Sequence, residues 1–254
     1  IQKWGLHKRI ALFVLENAGS NGASLVLGFM LTAALISMWV MNTATTIMLL
    51  PIGLAVITVV KETVKGLTEK ETENFQLSLL LGIAYGATIG GMSTLIGTGP
   101  NGMFAAFMAD NYNLDISFVD WMKVGVPLSA IMLPASWYVL TRIIYPVRFK
   151  TSEETTALLS SMKDELGAFQ GPEVKVFLVF VFTALFWMLR TILDDLPGLG
   201  GLSDAGIAMV SALVLFLLPS GSRERKGPLL EWEDAQKNVP WGLLVLFGGG
   251  LSLA

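Results

Sequence analysis

The chain has 254 residues, of which 53% are hydrophobic and 15% charged, with a net charge of −3 and a mean hydropathy of +0.63. Soluble domains carry about 25% charged residues, so this composition argues against a water-soluble fold. The near-neutral charge excludes a strongly basic nucleic-acid-binding protein, and the absence of cysteine excludes disulfide-rich modules and cysteine-ligated metal proteins. Because the chain starts at Ile1 and ends in an apolar run, we expect an excerpt of a longer membrane protein.

The first segment, residues 1–18, is short and mixed in polarity. Its apolar residues alternate with Lys8, Arg9 and Glu16. This pattern is typical of a helix that lies in the plane of the membrane interface. We therefore predict an interfacial arm helix over 1–18, with His7 exposed to solvent.

A stretch of 44 residues without Asp, Glu, Lys or Arg follows at 17–60. Its apolar parts, Leu25–Val40 and Ile47–Val60, rise roughly 24 and 21 Å as helices, whereas the hydrocarbon core is about 30 Å thick. The residues between them, 41–46, are Met-Asn-Thr-Ala-Thr-Thr. Such a polar turn cannot face lipid. The sequence therefore predicts a re-entrant hairpin over 19–60, with its tip near the middle of the membrane.

A second charge-free stretch covers residues 74–109. A helical run, Leu77–Ile89, is followed by four glycines and a proline within residues 90–101, which favour an unwound segment. Trp121–Tyr145 then predicts a full span, so 74–145 is interpreted as a broken span plus its neighbour. Two interrupted apolar segments close together are typical of a transporter binding site.

The rest of the chain is more regular. Residues 146–173 form a charged loop, which we expect to be partly helical. Val174–Ile192 and Leu202–Pro219 predict two spans, and Trp241–Ala254 predicts the start of another. Residues 174–254 are therefore interpreted as a truncated set of spans.

The basic residues indicate the orientation in the membrane. If 17–60 re-enters without crossing, 15 of the 17 Lys and Arg residues share one side, and only Lys123 and Arg190 lie on the other. If 17–60 crosses once, the division is 5 against 12. The positive-inside rule favours the first arrangement. It predicts that the hairpin and the 146–173 loop face the cytoplasm.

The interrupted segments contain no Asp, Glu, His, Lys or Arg, so they do not suit a proton relay. Hydroxyl and carbonyl oxygens suit a hard cation such as sodium, whereas amide donors and helix N-termini suit an anion. We find no nucleophile–base pair, metal-ligand cluster or cofactor motif at membrane depth, which argues against an enzyme. The polar side chains available are Ser37, Asn42, Thr43, Thr45, Thr46, Ser93, Thr94, Thr98 and Asn101.

Five segments resemble the divalent-anion/sodium symporters, the sodium–dicarboxylate cotransporter family: residues 37–51, 82–101, 120–127, 5–11 and 239–251. The first contains Met-Asn-Thr-Ala-Thr-Thr, which resembles the Ser-Asn-Thr hairpin motif of that family. The resemblance implies an all-α polytopic membrane protein, a homodimeric elevator-type transporter built from inverted repeats. It also implies that the chain runs from the first hairpin to the start of a scaffold span in the second repeat, which is incomplete.

The resemblance further implies roles for particular residues and segments. The residues implied for the first sodium site are Ser37, Asn42, Gly97, Thr98 and Gly99. The residues implied for substrate binding are Asn42, Thr43 and Thr98. The transport domain would comprise 19–60 and 74–145, and the scaffold would include 174–254. One departure is Met41, which replaces the serine of the family motif and removes a hydroxyl from the expected sodium shell.

We therefore expect sodium-coupled uptake of small dicarboxylates of the succinate, malate and fumarate class across a bacterial inner membrane. The expected partners are the dicarboxylate anion, the lipid bilayer and a second copy of the chain, without nucleic acid. Two alternatives stay open within the family, a sodium-independent anion exchanger and a sulfate or citrate transporter. An alternative of another class is an ion channel or an ion/proton antiporter.

Overall fold

A computed structural model describes residues 3–17, 19, 21–193, 201–222, 227–239, 241, 242, 245 and 248–250, without the side chains of residues 191 and 238. Within these residues every extended regular element is a helix, and two isolated β-bridges join Asn21 to Lys150 and Pro219 to Pro228. The prediction of an all-α fold is confirmed for this part of the chain. The helices are α1 (Leu6–Glu16), α2 (Gly22–Ser37), α3 (Asn42–Thr63), α4 (Glu69–Gly91), α5 (Gly99–Tyr112), α6 (Phe118–Tyr138, continued by the π-helix Val139–Ile144), α7 (Glu153–Glu165), α8 (Gly171–Leu193), α9 (Asp204–Leu217) and α10 (Trp232–Asn238).

Three helices are long and apolar enough to cross a membrane, Asn42–Thr63, Phe118–Ile144 and Gly171–Arg190, among the described residues. They support the interpretation of the chain as an integral membrane protein. The predicted span over 202–219 is shorter than expected, because α9 has 14 residues and rises about 21 Å. The predicted span from Trp241 falls largely outside the described residues.

The chain divides into two compact units. Unit 1 comprises Ile1–Leu6, Ala105–Asp120 and Ala168–Ala254, and unit 2 comprises His7–Phe104 and Trp121–Gly167. Unit 2 contains both interrupted segments apart from the second half of α5. It is therefore the unit that holds the candidate site.

The core of unit 2 is built on α2 and α4, whose backbones approach closely. A Cβ at Gly86 would overlap the backbone of Met30, and one at Gly90 would overlap the backbone of Ala34. Small residues four apart on one helix face allow this approach. Fully buried apolar side chains fill the space around the contact, among them Val26, Phe29, Leu79 and Ile83.

Unit 1 contains α8, α9 and α10. Thr183 on α8 donates a hydrogen bond to Ser211 on α9 at 2.7 Å. A largely apolar cavity of about 440 Å³ lies between these two helices. At the end of α8, Arg190 forms ion pairs with Asp115 at 2.7 Å and Asp204 at 3.2 Å.

The turn of the hairpin differs from the prediction. It consists of residues 38–41, and the polar residues expected in it form the first turn of α3 instead. As a result α3 has 22 residues and rises about 33 Å, so α3 is long enough to cross. Of the two hairpin helices, only α2, whose 16 residues rise about 24 Å, is too short to cross the hydrocarbon core. The re-entrant hairpin stays a prediction.

The arm helix α1 forms where the sequence predicts it, but His7 is buried rather than solvated, with 6% of its surface exposed. His7, Ala11 and Leu15 are four residues apart and therefore share one face of α1. All three are buried. The opposite face carries the exposed Phe13, as an interfacial helix requires.

Candidate functional site: the hairpin tip and the helix break

The tip of the hairpin brings two of the predicted site residues into contact. α2 ends at Ser37 and α3 begins at Asn42. The Ser37 hydroxyl donates to the Asn42 Oδ1 at 2.6 Å and approaches the Val40 carbonyl oxygen at 3.3 Å. Ser37 is fully buried, whereas Asn42 is half-buried. Two neutral oxygens therefore lie side by side at the tip.

The N-terminus of α3 has no capping side chain. Its N-cap residue is Met41, whose side chain accepts no hydrogen bond from the helix, whereas side chains accept at the N-caps of α2, α4, α7 and α9. The first turn of a helix presents free N–H groups and the positive end of the helix dipole. The backbone at Asn42, Thr43 and Ala44 therefore offers donors that suit an anion.

The helix break lies between α4, which ends at Gly91, and α5, which begins at Gly99. Carbonyl groups freed by a break at membrane depth must find partners within the protein. Ser129 donates to the Ile89 carbonyl at 2.8 Å, and Trp121 donates to the Met92 carbonyl at 2.9 Å. The Asn101 Nδ2 donates to the carbonyls of Gly91 at 2.9 Å and Thr94 at 2.8 Å. Side chains from α5 and α6 thus bind four backbone carbonyls at the break.

The tip and the break meet at Gly91. A Cβ at Gly91 would overlap the Asn42 Oδ1, and a Cβ at Gly97 would overlap the Gly91 carbonyl. The Thr94 hydroxyl also donates to the Met38 carbonyl in the hairpin turn. The absence of side chains at both glycines therefore lets the backbone of the break reach the amide of Asn42.

The structure brings Ser37, Asn42 and Gly97 together around Gly91. Thr98 and Gly99 follow Gly97 directly, and the Thr98 carbonyl accepts from the Asn101 N–H at 3.2 Å. Thr43 is exposed in the first turn of α3, and no hydrogen bond among the described residues links its side chain to this cluster.

No group of three or more His, Cys, Asp or Glu side chains capable of holding a metal occurs in the part of the chain that was described. The oxygens at the tip are hydroxyl, amide and backbone carbonyl groups. These neutral oxygens are ligands for a hard cation, and their low charge fits a monovalent ion that must also be released. The donor set therefore fits sodium.

Two residues of the cluster have roles that the sequence did not reveal. Thr94 and Asn101 were recognised only as polar side chains in a charge-free stretch, and their hydrogen bonds to the tip and to the break were not foreseen. The close approach at Gly91 was also missed. The sequence offers one signal, an asparagine directly after Gly-Thr-Gly-Pro, where the chain has no periodic pattern.

Comparison with known proteins decides the family. A model described as the sodium:sulfate symporter transmembrane region matches residues 1–254. The chain belongs to this family. The resemblance to the divalent-anion/sodium symporters is thereby confirmed.

Curated relatives of this symporter-family chain include proteins named sodium-dependent dicarboxylate transporter SdcS. The protein from Staphylococcus saprophyticus is 36% identical over 256 residues, which cover 100% of this chain and 49% of the relative. The protein from Staphylococcus aureus strain USA300 is 34% identical over 256 residues with the same coverage. The chain therefore spans about half the length of the curated relatives it matches. These relatives are named as transporters and not as enzymes.

Proposed function

We propose that the full-length protein is a secondary active transporter that couples sodium to the uptake of small dicarboxylates. The observation that carries this proposal is the meeting of the uncapped N-terminus of α3 with a cluster of neutral oxygens. Membership of the symporter family and the printed names of the relatives support it. The substrates proposed are succinate, malate and fumarate.

Sodium is proposed to bind the oxygens of Ser37 and Asn42 together with backbone carbonyls at Gly97, Thr98 and Gly99. The Ser37 hydroxyl gives its hydrogen to Asn42, so the lone pairs of the Ser37 oxygen and one lone pair of the Asn42 Oδ1 stay available to a cation. The contact of 2.6 Å between them supports adjacent positions in one coordination shell.

The substrate carboxylate is proposed to bind Asn42, Thr43 and Thr98. The uncapped first turn of α3 supplies backbone N–H donors and a positive dipole end next to the sodium position. A cation and a carboxylate at adjacent sites stabilise each other electrostatically, because each offsets the charge that the other brings into the membrane. This mutual stabilisation is the physical basis of coupling.

The elevator mechanism is part of the proposal. Most of the predicted transport domain, 19–60 and 74–145, falls in unit 2, and 174–254 falls in unit 1. We assign unit 2 as the moving part and unit 1 as part of the scaffold of a homodimer. The protein is assigned to a bacterial inner membrane, with the hairpin opening to the cytoplasm on the side that carries most basic residues.

The test is uptake of radiolabelled succinate into proteoliposomes of the full-length protein, driven by an inward sodium gradient or by potassium in its place. We expect sodium-dependent uptake that falls by about tenfold or more in Asn42→Ala. Asn111→Ala is the matched control, because Asn111 is exposed and its side chain donates only to Phe107 of its own helix. Equal uptake with potassium would contradict sodium coupling, and wild-type uptake in Asn42→Ala would contradict the site.

A second candidate is favoured by Met41 and by the family description. Met41 places no hydroxyl at the start of α3, and the matching family is described by sodium and sulfate. A sulfate transporter or a sodium-independent exchanger is therefore the alternative. Uptake of sulfate without uptake of succinate would support the former, and succinate exchange indifferent to sodium would support the latter.

A further inference from the structure

Asn101 is a buried side chain in the first turn of α5 that the proposed function does not use. Only 7% of its surface is exposed. Its Nδ2 donates to the Gly91 carbonyl at 2.9 Å and to the Thr94 carbonyl at 2.8 Å. An asparagine amide has two N–H donors, so both are committed to the backbone of the break.

These two carbonyls bracket the part of the turn that leads to the proposed sodium ligands. Gly91 precedes the turn, and Thr94 lies in its middle and also accepts from the Gly97 N–H at 3.3 Å. The backbone N–H of Asn101 donates to the Thr98 carbonyl at 3.2 Å. One residue therefore contacts the backbone before, within and after the turn.

Thr94 extends this arrangement to the hairpin. Its carbonyl is held by Asn101, and its hydroxyl donates to the Met38 carbonyl in the turn between α2 and α3. On the other side of the cluster Gly91, which Asn101 also holds, packs against the Asn42 amide oxygen. The tip and the break are thus connected at two points, and both connections begin at residues that Asn101 binds.

We propose that Asn101 is a positioning residue for the cation. By holding Gly91 and Thr94 it sets the direction of the Gly97 and Thr98 carbonyls relative to the oxygens at the hairpin tip. Glycine-rich backbone has many alternative conformations, so without these bonds the carbonyls would not converge. The inference rests on the proposed function, because it assigns Asn101 to the affinity of that same sodium site.

Ser129 provides a matched control for a purely structural role. It is also buried, with 8% of its surface exposed, and its hydroxyl donates to the Ile89 carbonyl at 2.8 Å. Ile89 lies in α4, outside the turn that contains Gly97 and Thr98. Loss of either side chain removes a hydrogen bond to a backbone carbonyl and costs stability. Only loss of Asn101 should change the affinity for sodium.

The test measures thermal unfolding of the full-length protein in detergent as sodium chloride replaces choline chloride at constant ionic strength. Sodium that binds the folded state raises the unfolding temperature, so the midpoint of this rise reports affinity without transport or substrate. We expect Asn101→Ala to raise the midpoint concentration by about tenfold or more, and Ser129→Ala to lower the unfolding temperature with a midpoint within about twofold of wild type.

Thr94 provides an independent pair of variants. Thr94→Val removes the hydroxyl that reaches Met38 and is expected to raise the sodium midpoint, as Asn101→Ala does. Thr94→Ser keeps the hydroxyl and is expected to keep the wild-type midpoint. If Asn101→Ala does not fold, Thr94→Val decides: a raised midpoint supports the proposal and an unchanged midpoint overturns it.

The possible failures are distinguishable. A wild-type protein that sodium does not stabilise would overturn the sodium site of the proposed function. A wild-type response with an unchanged midpoint in Asn101→Ala would overturn only the role of Asn101. An equal shift in Ser129→Ala would also overturn it, because the effect would then follow from lost stability.

Discussion

The amide oxygen of Asn42 packs against Gly91 so closely that no side chain fits between them. Asn101 holds the Gly91 carbonyl from the other side, so the backbone at this position cannot easily move away. The geometry of the site therefore depends on the absence of a Cβ at Gly91 as much as on the polar groups.

Gly91→Ala tests this dependence. The added Cβ must displace the Asn42 amide, and we expect sodium-dependent uptake to fall by about tenfold or more. Gly102→Ala is the control, because nothing lies within 4 Å of a Cβ built there. Gly102 lies within α5, so alanine should add up to about 1 kcal/mol to the stability of the helix. Wild-type uptake by Gly91→Ala in proteoliposomes would contradict the close approach.

Met41→Ser tests the uncapped start of α3. A serine at the N-cap can accept a backbone N–H of the first turn, which should stabilise the protein by about 1 kcal/mol. Met41→Ala removes the same thioether without adding an acceptor and is the control. The measurement is the free energy of unfolding in detergent, and a gain equal in both variants would show that capping is not its cause.

Sequence predicts Ser37 and Asn42 as candidates because polar residues stand out in charge-free stretches, and Gly97 through the family resemblance. It did not identify Asn101 as the residue that holds the break. Its hydrogen bonds reach back 7 and 10 residues across a turn without periodicity, so no spacing rule places donor and acceptors together. Composition can reveal which residues are candidates, whereas folding decides which of them meet.

The contact between α2 and α4 depends on the backbone of α2, which cannot move aside by changing rotamer as a side chain can. Gly86 faces the backbone of Met30, whereas Gly82 faces only the flexible Met30 side chain and Val26. The two glycines lie on one face of α4, one turn apart. They therefore offer a matched pair for measuring how tightly the hairpin packs.

Gly86→Ala should force the two helices apart and lower the free energy of unfolding by about 1–3 kcal/mol. Gly82→Ala should cost less, since the methionine side chain can take another rotamer. Chemical denaturation of both variants in detergent measures the difference. A larger loss in Gly82→Ala would be the opposite of what this packing predicts.

The start of α4 carries a capping box between Thr68 and Glu71. Hydrogen bonds from the Thr68 backbone N–H and hydroxyl lower the pKa of the Glu71 carboxyl. A lowered pKa in the folded state means that this contribution is present at neutral pH and is lost as the pH falls through the lowered value. The capping box should therefore weaken in acid.

Thr68→Ala removes the side-chain cap and should lower stability by about 1 kcal/mol at neutral pH. The difference between wild type and variant should shrink as the pH falls below the usual carboxyl range, because protonated Glu71 no longer accepts strongly. Thermal unfolding at several pH values measures it. A difference in unfolding temperature between wild type and Thr68→Ala that grows in acid would contradict the expected pH dependence.

The helices α2, α6, α8 and α9 begin and end within three residues of the predicted positions, whereas α4 begins at Glu69, eight residues before the predicted Leu77, because its charged first turns continue the helix. The main error was the hairpin turn. Residues 42–46 were assigned to the turn because they are polar, but they continue as the first turn of α3. Asn and Thr are common at helix starts, so polarity alone could not separate turn from helix.

For the whole molecule, the topology predicts which loops face the cytoplasm. Residues 1–254 contain no cysteine, so a cysteine introduced into this segment is the only one that the segment carries. We expect Lys65→Cys to react with a membrane-impermeant maleimide only from the cytoplasmic side. Asn111→Cys should react only from the opposite side. Labelling of both from one side would exclude the proposed topology.

The grouping of residues 105–120 could not be predicted. The sequence placed this segment in one block with the rest of 74–145, whereas it clusters with unit 1. The Phe118 N–H donates to Asp204 at 3.1 Å, and Asp115 pairs with Arg190. These partners lie far apart in the sequence, and such long-range pairs leave no local pattern.

Under the proposed elevator mechanism, the hydrogen bonds of the helix break have a consequence for the energy barrier to movement of unit 2. The donors Asn101, Trp121 and Ser129 and all of their carbonyl acceptors belong to unit 2. A displacement of unit 2 as one body would therefore leave every one of these bonds intact. These four carbonyl groups would therefore need no water at any depth in the bilayer, and they would add nothing to the barrier to movement.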